Sequence, residues 1–395
     1  MIRIAHATLL ALAAFSMPSA AQTQSQRLRD VAIDRVDPQP APELMVEEVG
    51  PAFNSPWSLA FLPDDRILLV EKLGGLHIVD PATGLSQAVE GAPDNLLREA
   101  ESGLHDVVLD PDFATNGLLY LAYVEGTENA NRLAVWRARL DGTRLADGHT
   151  IFRSNASRET PQHPGGRMIL LPDNTLLVGV GDGYSYRDAA QDPKSHLGKL
   201  VRIGRDGSIP PDNPFVNWDG YAPEIYSLGH RNIQGLTLDT TTGEIWSHEH
   251  GPRGGDEINR ILPGRNYGWP LVLFGIDYDG SAISNLKQAP GIESPRFFWA
   301  PSIAPSGLAI YRSDTNSAWN GKLLVGALAS RSLVRLRIGQ TTGLLVEEER
   351  MLSDFKRRIR DVRQAPDGTL YLLTEGNIGE GDVSGHLWRL TPAGD

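Results

Sequence analysis

Trp57-Ser58-Leu59-Ala60-Phe61-Leu62-Pro63-Asp64-Asp65-Arg66-Ile67-Leu68-Leu69-Val70 is an apolar run, a Pro-Asp turn and a second apolar run. Each run is short for a helix, and Pro-Asp presets a tight turn, so the stretch reads as two antiparallel strands. The theme returns at residues 104–112 before 117–121, at 167–173 before 175–179, and more loosely at 235–239 before 244–246, 307–311 before 322–325, and 362–368 before 370–373. Six copies over about 374 residues is roughly 62 residues each, enough for a four-stranded blade with long loops. The unequal intervals argue against a strict short-repeat array such as WD40. The expected architecture is all-β: a six-bladed β-propeller with four-stranded antiparallel blades, one domain over residues 44–395. Two stacked β-sandwich domains are the structural alternative.

Composition agrees with many turns: there are 41 glycines and 27 prolines, and no long helical period. Cysteine is absent, which excludes a disulfide framework and thiolate metal ligation. The formal charge of −12 disfavours nucleic acid as a partner. Met1-Ile2-Arg3, an apolar run from Ala7 to Phe15 and Pro18-Ser19-Ala20-Ala21-Gln22 together read as a signal peptide over residues 1–21. A periplasmic or secreted protein without a membrane anchor is expected. Residues 22–43, spaced by Pro38, Pro40 and Pro42, read as a flexible leader. The strand-like residues 44–49 are then expected to pair with residues 385–390, closing the ring and removing two sheet edges.

Ser247-His248-Glu249-His250-Gly251-Pro252-Arg253-Gly254-Gly255-Asp256-Glu257-Ile258-Asn259, followed by Asn266-Tyr267-Gly268-Trp269-Pro270, gathers carboxylates, histidines and bare carbonyls on one loop. Glycine and proline keep this backbone out of helix and sheet. The carbonyls of Gly251 and Pro252 can therefore turn toward a hard cation, with Asp256 and Glu257 as nearby oxygen donors of the kind calcium prefers. A polar loop between two strands is the other reading, because the spacing is not that of an EF-hand.

Propeller loops converge at one mouth of the central channel, so distant clusters can share a site. His163, in Gln162-His163-Pro164-Gly165-Gly166-Arg167, suits a general base because histidine titrates near neutrality; a surface turn histidine is the alternative. In Gly229-His230-Arg231-Asn232-Ile233-Gln234-Gly235 the planar fork of Arg231 suits a carboxylate or carbonyl, and Asn232 can orient another polar group. Arg231 paired with a blade carboxylate is the structural alternative. In Lys356-Arg357-Arg358-Ile359-Arg360-Asp361, strand alternation puts Arg358 and Arg360 on one face, toward a polyanion or simply toward solvent. There is no Ser or Cys nucleophile motif, Walker loop or Rossmann fingerprint, and Gly179-Val180-Gly181-Asp182-Gly183 reads as a strand end. The residues alone specify a calcium-assisted site for an anionic ligand.

Nine segments resemble, in order, the soluble pyrroloquinoline quinone (PQQ) dependent glucose/sorbosone dehydrogenase family, and its periplasmic aldose sugar dehydrogenase branch most. They are Glu101-Ser102-Gly103-Leu104, His163-Pro164-Gly165-Gly166-Arg167, Ser195-His196-Leu197-Gly198-Lys199, Gly229-His230-Arg231-Asn232, Glu249-His250-Gly251-Pro252, Gly254-Gly255-Asp256-Glu257, Asn266-Tyr267-Gly268-Trp269-Pro270, Ala304-Pro305-Ser306-Gly307 and Arg358-Ile359-Arg360-Asp361. The resemblance implies that His163 takes the proton of a sugar's anomeric hydroxyl while hydride passes from C1 to PQQ, with Arg231 beside the reacting atoms. It implies PQQ contacts from Glu101, Arg231, Asn232, His250, Arg331, Arg358 and Arg360. It implies one Ca2+ on the carbonyls of Gly251 and Pro252 and a second, structural one on Glu257 and the carbonyl of Tyr267.

The chain departs from that pattern in three places. Gly326-Ala327-Leu328-Ala329-Ser330-Arg331 puts Ala329 where the family often has a PQQ-pairing lysine, Glu101 replaces a neutral amide, and Phe297-Phe298-Trp299 is the aromatic wall before Ala304-Pro305. The departures are expected at the mouth. The implied partners are an aldose substrate and an external electron acceptor (quinone, dye or cytochrome), and a monomer or weak homodimer is expected. A non-catalytic sugar- or PQQ-binding propeller and a calcium-dependent lactonase are the alternatives.

Overall fold

Pro63-Asp64-Asp65, Pro172-Asp173-Asn174 and Pro366-Asp367-Gly368 turn the chain in one way. The third residue of each takes a left-handed backbone, with φ of 65°, 64° and 93°, a conformation open mainly to Gly, Asn and Asp. The carboxylates of Asp64, Asp173 and Asp367 accept the N–H two residues on, at 3.3, 3.0 and 2.9 Å. Each turn thereby fixes the register of the hairpin it closes.

In the computed structural model, which describes residues 44–313, 319–339, 342–376 and 382–392, every copy of the theme supplies the first two strands of a blade. The first blade is β2 (Pro56–Phe61), β3 (Ile67–Glu71), β4 (Leu76–Val79) and β5 (Ser86–Ala88), and the second is β6 (Leu104–Leu109), β7 (Leu118–Thr127), β8 (Ala130–Asp141) and β9 (Arg144–Arg153). The third holds β10 (Gly165–Leu170), β11 (Thr175–Val180), β12 (Lys199–Gly204) and β13 (Ile225–Leu228); the fourth holds β14 (Ile233–Leu238), β15 (Ile245–Glu249), β16 (Asp256–Ile261) and β17 (Phe297–Trp299). The fifth is β18 (Pro305–Ile310), β19 (Leu323–Ala327), β20 (Leu333–Ile338) and β21 (Leu345–Met351). The last is β22 (Arg358–Gln364), β23 (Leu370–Glu375) and β24 (Ser384–Pro392), completed by β1 (Leu44–Asn54).

All pairings within the blades are antiparallel, and β2, β6, β10, β14, β18 and β22 pack successively around the channel. The closure expected between the chain's ends is present: Val46 pairs with Leu390 and Val49 with Leu387. The expected signal peptide, residues 1–21, and leader, 22–43, lie outside the described residues. Among the described residues no helix is long and apolar enough to cross a membrane.

The core sits between blades rather than within one layer. Leu68, Val70, Leu104 and Leu121 join the first and second blades, and Leu177, Ile233 and Leu236 join the third and fourth. Second strands such as β3 are buried on both faces, so Ile67-Leu68-Leu69-Val70 is a continuous apolar run instead of an alternation. Truncating one such leucine to alanine costs about 2–5 kcal/mol.

Candidate active site

Loops that enter the innermost strands, and loops between second and third strands, share one end of the channel. His163 lies just before β10 with φ of 47°, only 5% exposed. Its Nδ1 is 2.8 Å from Oδ1 of Asp182, in the loop after β11. Asp182 is itself held: Oδ1 accepts the Tyr184 N–H at 2.8 Å, and Oδ2 accepts the indole N–H of Trp269 at 2.8 Å. Burial raises its pKa, but the hydrogen bond and charge from His163, with the charge of Arg231, outweigh this and leave the carboxyl below its usual range. An ionised Asp182 can only accept, so Nδ1–H of His163 donates to it, and in that tautomer the imidazole lone pair lies on Nε2. Tyr184 sets its ring edge-on to the imidazole, with centroids 5.0 Å apart. Glu101 accepts the His163 backbone N–H at 3.0 Å.

Arg231 is 4% exposed and ties this pair to the loop of His250 and Gly251. Its carbonyl accepts the Asp182 N–H at 2.7 Å, Nη1 donates to the carbonyls of His250 at 2.9 Å and Gly251 at 2.8 Å, and Nη2 donates to the Tyr278 hydroxyl at 3.2 Å. The guanidinium lies over Trp269 and Tyr278, 5.3 and 5.9 Å from the ring centroids. A cleft of about 180 Å³ is lined by Tyr184, Arg231, Pro252, Trp269 and Tyr278. Pro252 and Tyr278 also line a neighbouring cavity of about 770 Å³ that reaches His250, Ser302 and Ala304.

Asn232 links the loop of His163 to the arginine pair. Its Oδ1 accepts the Gly165 N–H at 3.2 Å and Nε2–H of Gln234 at 3.3 Å, and Oε1 of Gln234 accepts from Arg360 Nη1 at 3.3 Å. Nδ2 of Asn232 has no described partner. Arg358 and Arg360 share one carboxylate: Nη2 of each lies 2.7 Å from an oxygen of Glu375. Burial raises the pKa of Glu375, yet the two guanidiniums hold it low. A family model for glucose/sorbosone dehydrogenases matches residues 53–387.

The chain belongs to the glucose/sorbosone dehydrogenase family. Aldose sugar dehydrogenase YliI of Escherichia coli (strain K12) is 40% identical over 341 residues, covering 85% of this chain and 91% of that protein. A crystal structure of the soluble aldose sugar dehydrogenase from Escherichia coli in the apo-form matches with a TM-score of 0.83 at 38% identity, over 89% of this chain and 100% of that one. The PQQ-bound form of aldose sugar dehydrogenase from Streptomyces coelicolor matches with a TM-score of 0.70 at 29% identity, again over 89% and 100%. The chain is thus a member of a sugar dehydrogenase oxidoreductase family.

Two expectations need correction in this glucose/sorbosone dehydrogenase family member. Asp256, expected beside a cation, is spent on the protein: Oδ1 accepts the Gly251 N–H, and Oδ2 accepts from Ser302 Oγ and the N–H groups of Ile303 and Ala304. The aromatic run Phe297–Trp299 is β17, an outer strand; Trp299 is 3% exposed between blades and bonds Glu347 rather than walling the mouth. Arg358 and Arg360 share a face, as expected, and both meet Glu375 of their own blade. Arg231, by contrast, bonds carbonyls where a blade carboxylate was the alternative. Arg331, on the loop between β19 and β20 with φ of 51°, has no hydrogen bond or ion pair among the described residues.

No group of three or more His, Cys, Asp or Glu side chains fit for a metal occurs among the described residues, so carbonyls must complete any cation site. Two places have suitable chemistry. Gly251 and Pro252 present carbonyls on a backbone too close-packed for a side chain, since a Cβ on Gly251 would fall 2.3 Å from the Gly254 carbonyl. Deeper, Glu257 pairs directly across from Glu249, and burial, then Glu249, push its pKa well up. The buried Oδ1 of Asn259 beside them has no partner. The hydroxyl of Tyr267 is committed to the Arg260 carbonyl and the Leu262 N–H, which leaves only its carbonyl for an ion. Both donor sets fit a hard oxygen-seeking cation.

Asp182, Gln234 and Glu375 were not singled out by the sequence as site residues. Asp182 had a local signal, a lone carboxylate between glycines at a strand end; Glu375, also at a strand end, had none.

Proposed function

We propose that this protein oxidises aldose sugars at C1 to lactones, with His163 as base and calcium-bound PQQ as hydride acceptor. The observation that carries the reading is the His163–Asp182 pair at the mouth, with Nδ1 of the imidazole engaged and Nε2 left to accept a proton. Bound there, PQQ would supply a two-electron acceptor and calcium a Lewis acid. Arg358, Arg360, Arg331, Asn232, His250 and Glu101 would hold the quinone, the carbonyls of Gly251 and Pro252 its calcium, and Glu257 with the Tyr267 carbonyl a structural calcium.

His163 takes the proton of the anomeric hydroxyl as the C1–H bond breaks, and the hydride leaves with its electron pair. The C1–O bond becomes the lactone carbonyl, and an external acceptor, a dye, quinone or cytochrome, removes the electrons. Asp182 holds the imidazole orientation and stabilises the imidazolium. Arg231 positions the carbonyls of His250 and Gly251 and walls the cleft with Trp269 and Tyr278. A periplasmic or secreted monomer or weak homodimer belongs to the same reading.

The test is dye-linked oxidation by protein loaded with PQQ and Ca2+. His163→Ala should abolish turnover while quinone binding persists; turnover retained in the loaded variant would sink the assignment.

A further inference from the structure

Lys72 lies between β3 and β4, at the same end of the propeller as His163. Its backbone is fixed in the seam between the first two blades: the N–H donates to the Ser55 carbonyl at 2.8 Å, and the carbonyl accepts the Leu104 N–H at 2.8 Å. The approach is so close that a Cβ on Gly103 would fall 2.2 Å from the Lys72 carbonyl oxygen. From that anchor Nζ donates to the Ala100 carbonyl at 2.8 Å. This is its one hydrogen bond among the described residues, and it forms no ion pair with them. An ammonium has three donors, so two remain.

The surroundings are cationic at the point where Lys72 arrives. Burial lowers its pKa, the charge of Arg360 lowers it further, and Glu375 and Glu101 oppose. The buried His105 reports the same convergence: burial, then Lys72, then Arg360, hold its imidazole well below the usual range. Glu375 is already divided between Arg358 and Arg360, and Glu101 is exposed and bonded to the His163 backbone. An ammonium held partly desolvated within the field of a guanidinium, with no carboxylate of its own, is unfavourable unless an anion completes the site.

We propose that Lys72 is a cofactor-binding residue whose ammonium takes a carboxylate of the PQQ that Arg358 and Arg360 approach from the adjacent blade. The inference rests on the dehydrogenase reading. It gives this chain a lysine for the quinone from the first blade, where the fifth-blade loop offers the exposed Ala329.

Calcium-supplemented wild type, Lys72→Met and Lys72→Arg are titrated with PQQ, following tryptophan quenching and quinone absorbance, with far-UV circular dichroism as a check on folding. The expected result is a Kd raised about 10- to 100-fold in Lys72→Met, the worth of one charged hydrogen bond, and about 3-fold or less in Lys72→Arg. Equal affinity of Lys72→Met and wild type overturns the inference and leaves the dehydrogenase reading standing. So does an equal loss in both variants, which would assign the lysine to the fold rather than to the anion. A wild type that binds no PQQ overturns both.

Discussion

Asp182 accepts a hydrogen bond from Nδ1–H of His163 at 2.8 Å and, through its other oxygen, one from the indole N–H of Trp269 at 2.8 Å. The imidazole is therefore oriented by a carboxylate that is itself fixed from a different blade. Asp182→Asn keeps the shape but allows the amide to donate, which favours the wrong tautomer. Steady-state kinetics of the loaded enzyme should show kcat reduced about 10²–10⁴-fold, with sugar KM and PQQ affinity changed little. A fall in affinity with kcat preserved would assign Asp182 to the fold alone.

Glu375 is 6% exposed and carries two guanidiniums. Removing its charge with Glu375→Gln leaves Arg358 and Arg360 facing each other, at roughly 3 kcal/mol. Thermal melts should show a lower Tm without ligand, and a larger rise on adding PQQ than in wild type, since the quinone's carboxylates relieve the repulsion. An equal rise in both would separate the arginines from the quinone.

Glu257→Gln should have opposite effects with and without calcium. Without the ion it removes one of two buried carboxylates set opposite each other, and stability should rise by about 1 kcal/mol. With the ion it removes a ligand, and the calcium-dependent increase in Tm should shrink or vanish. Melts in EGTA and in excess Ca2+ read both; an unchanged calcium increment would remove Glu257 from the ion's ligands.

Lys199 is fully buried, donating to the carbonyls of Ala189, Ala190 and Leu197, and burial pushes its pKa down to about 7. The unfolded lysine keeps its proton to about pH 10.5, so between pH 7 and 10.5 the unfolded state binds more protons. Stability contributed by this residue therefore rises with pH in that window, by at most about 1.4 kcal/mol per unit. Denaturant unfolding of wild type should show this slope over that of Lys199→Met. Parallel pH profiles would mean that the lysine keeps its charge in the fold.

The blades were legible because each repeat states its hairpin locally: Pro63-Asp64-Asp65 and Pro172-Asp173-Asn174 specify turn, register and strand together. The closing pair was legible at both ends, as Val46 and Leu390 show. The site was readable only where a residue's type is itself the chemistry, as with His163 and Arg231. Partners that act through tertiary contact were not: Glu375 lies 15 and 17 residues from the arginines it binds, and Lys72 gains its meaning from Arg360 in another blade. Asp256 misled because a carboxylate in a glycine loop reads the same whether it binds an ion or four protein donors.

The central claim is tested most directly by dye-linked oxidation of a panel of aldoses by purified protein, with and without PQQ and Ca2+, beside His163→Ala. Turnover that requires both additions and vanishes in the variant is the predicted result. No turnover by wild type carrying spectrally confirmed PQQ and calcium, or equal turnover in the variant, would contradict it.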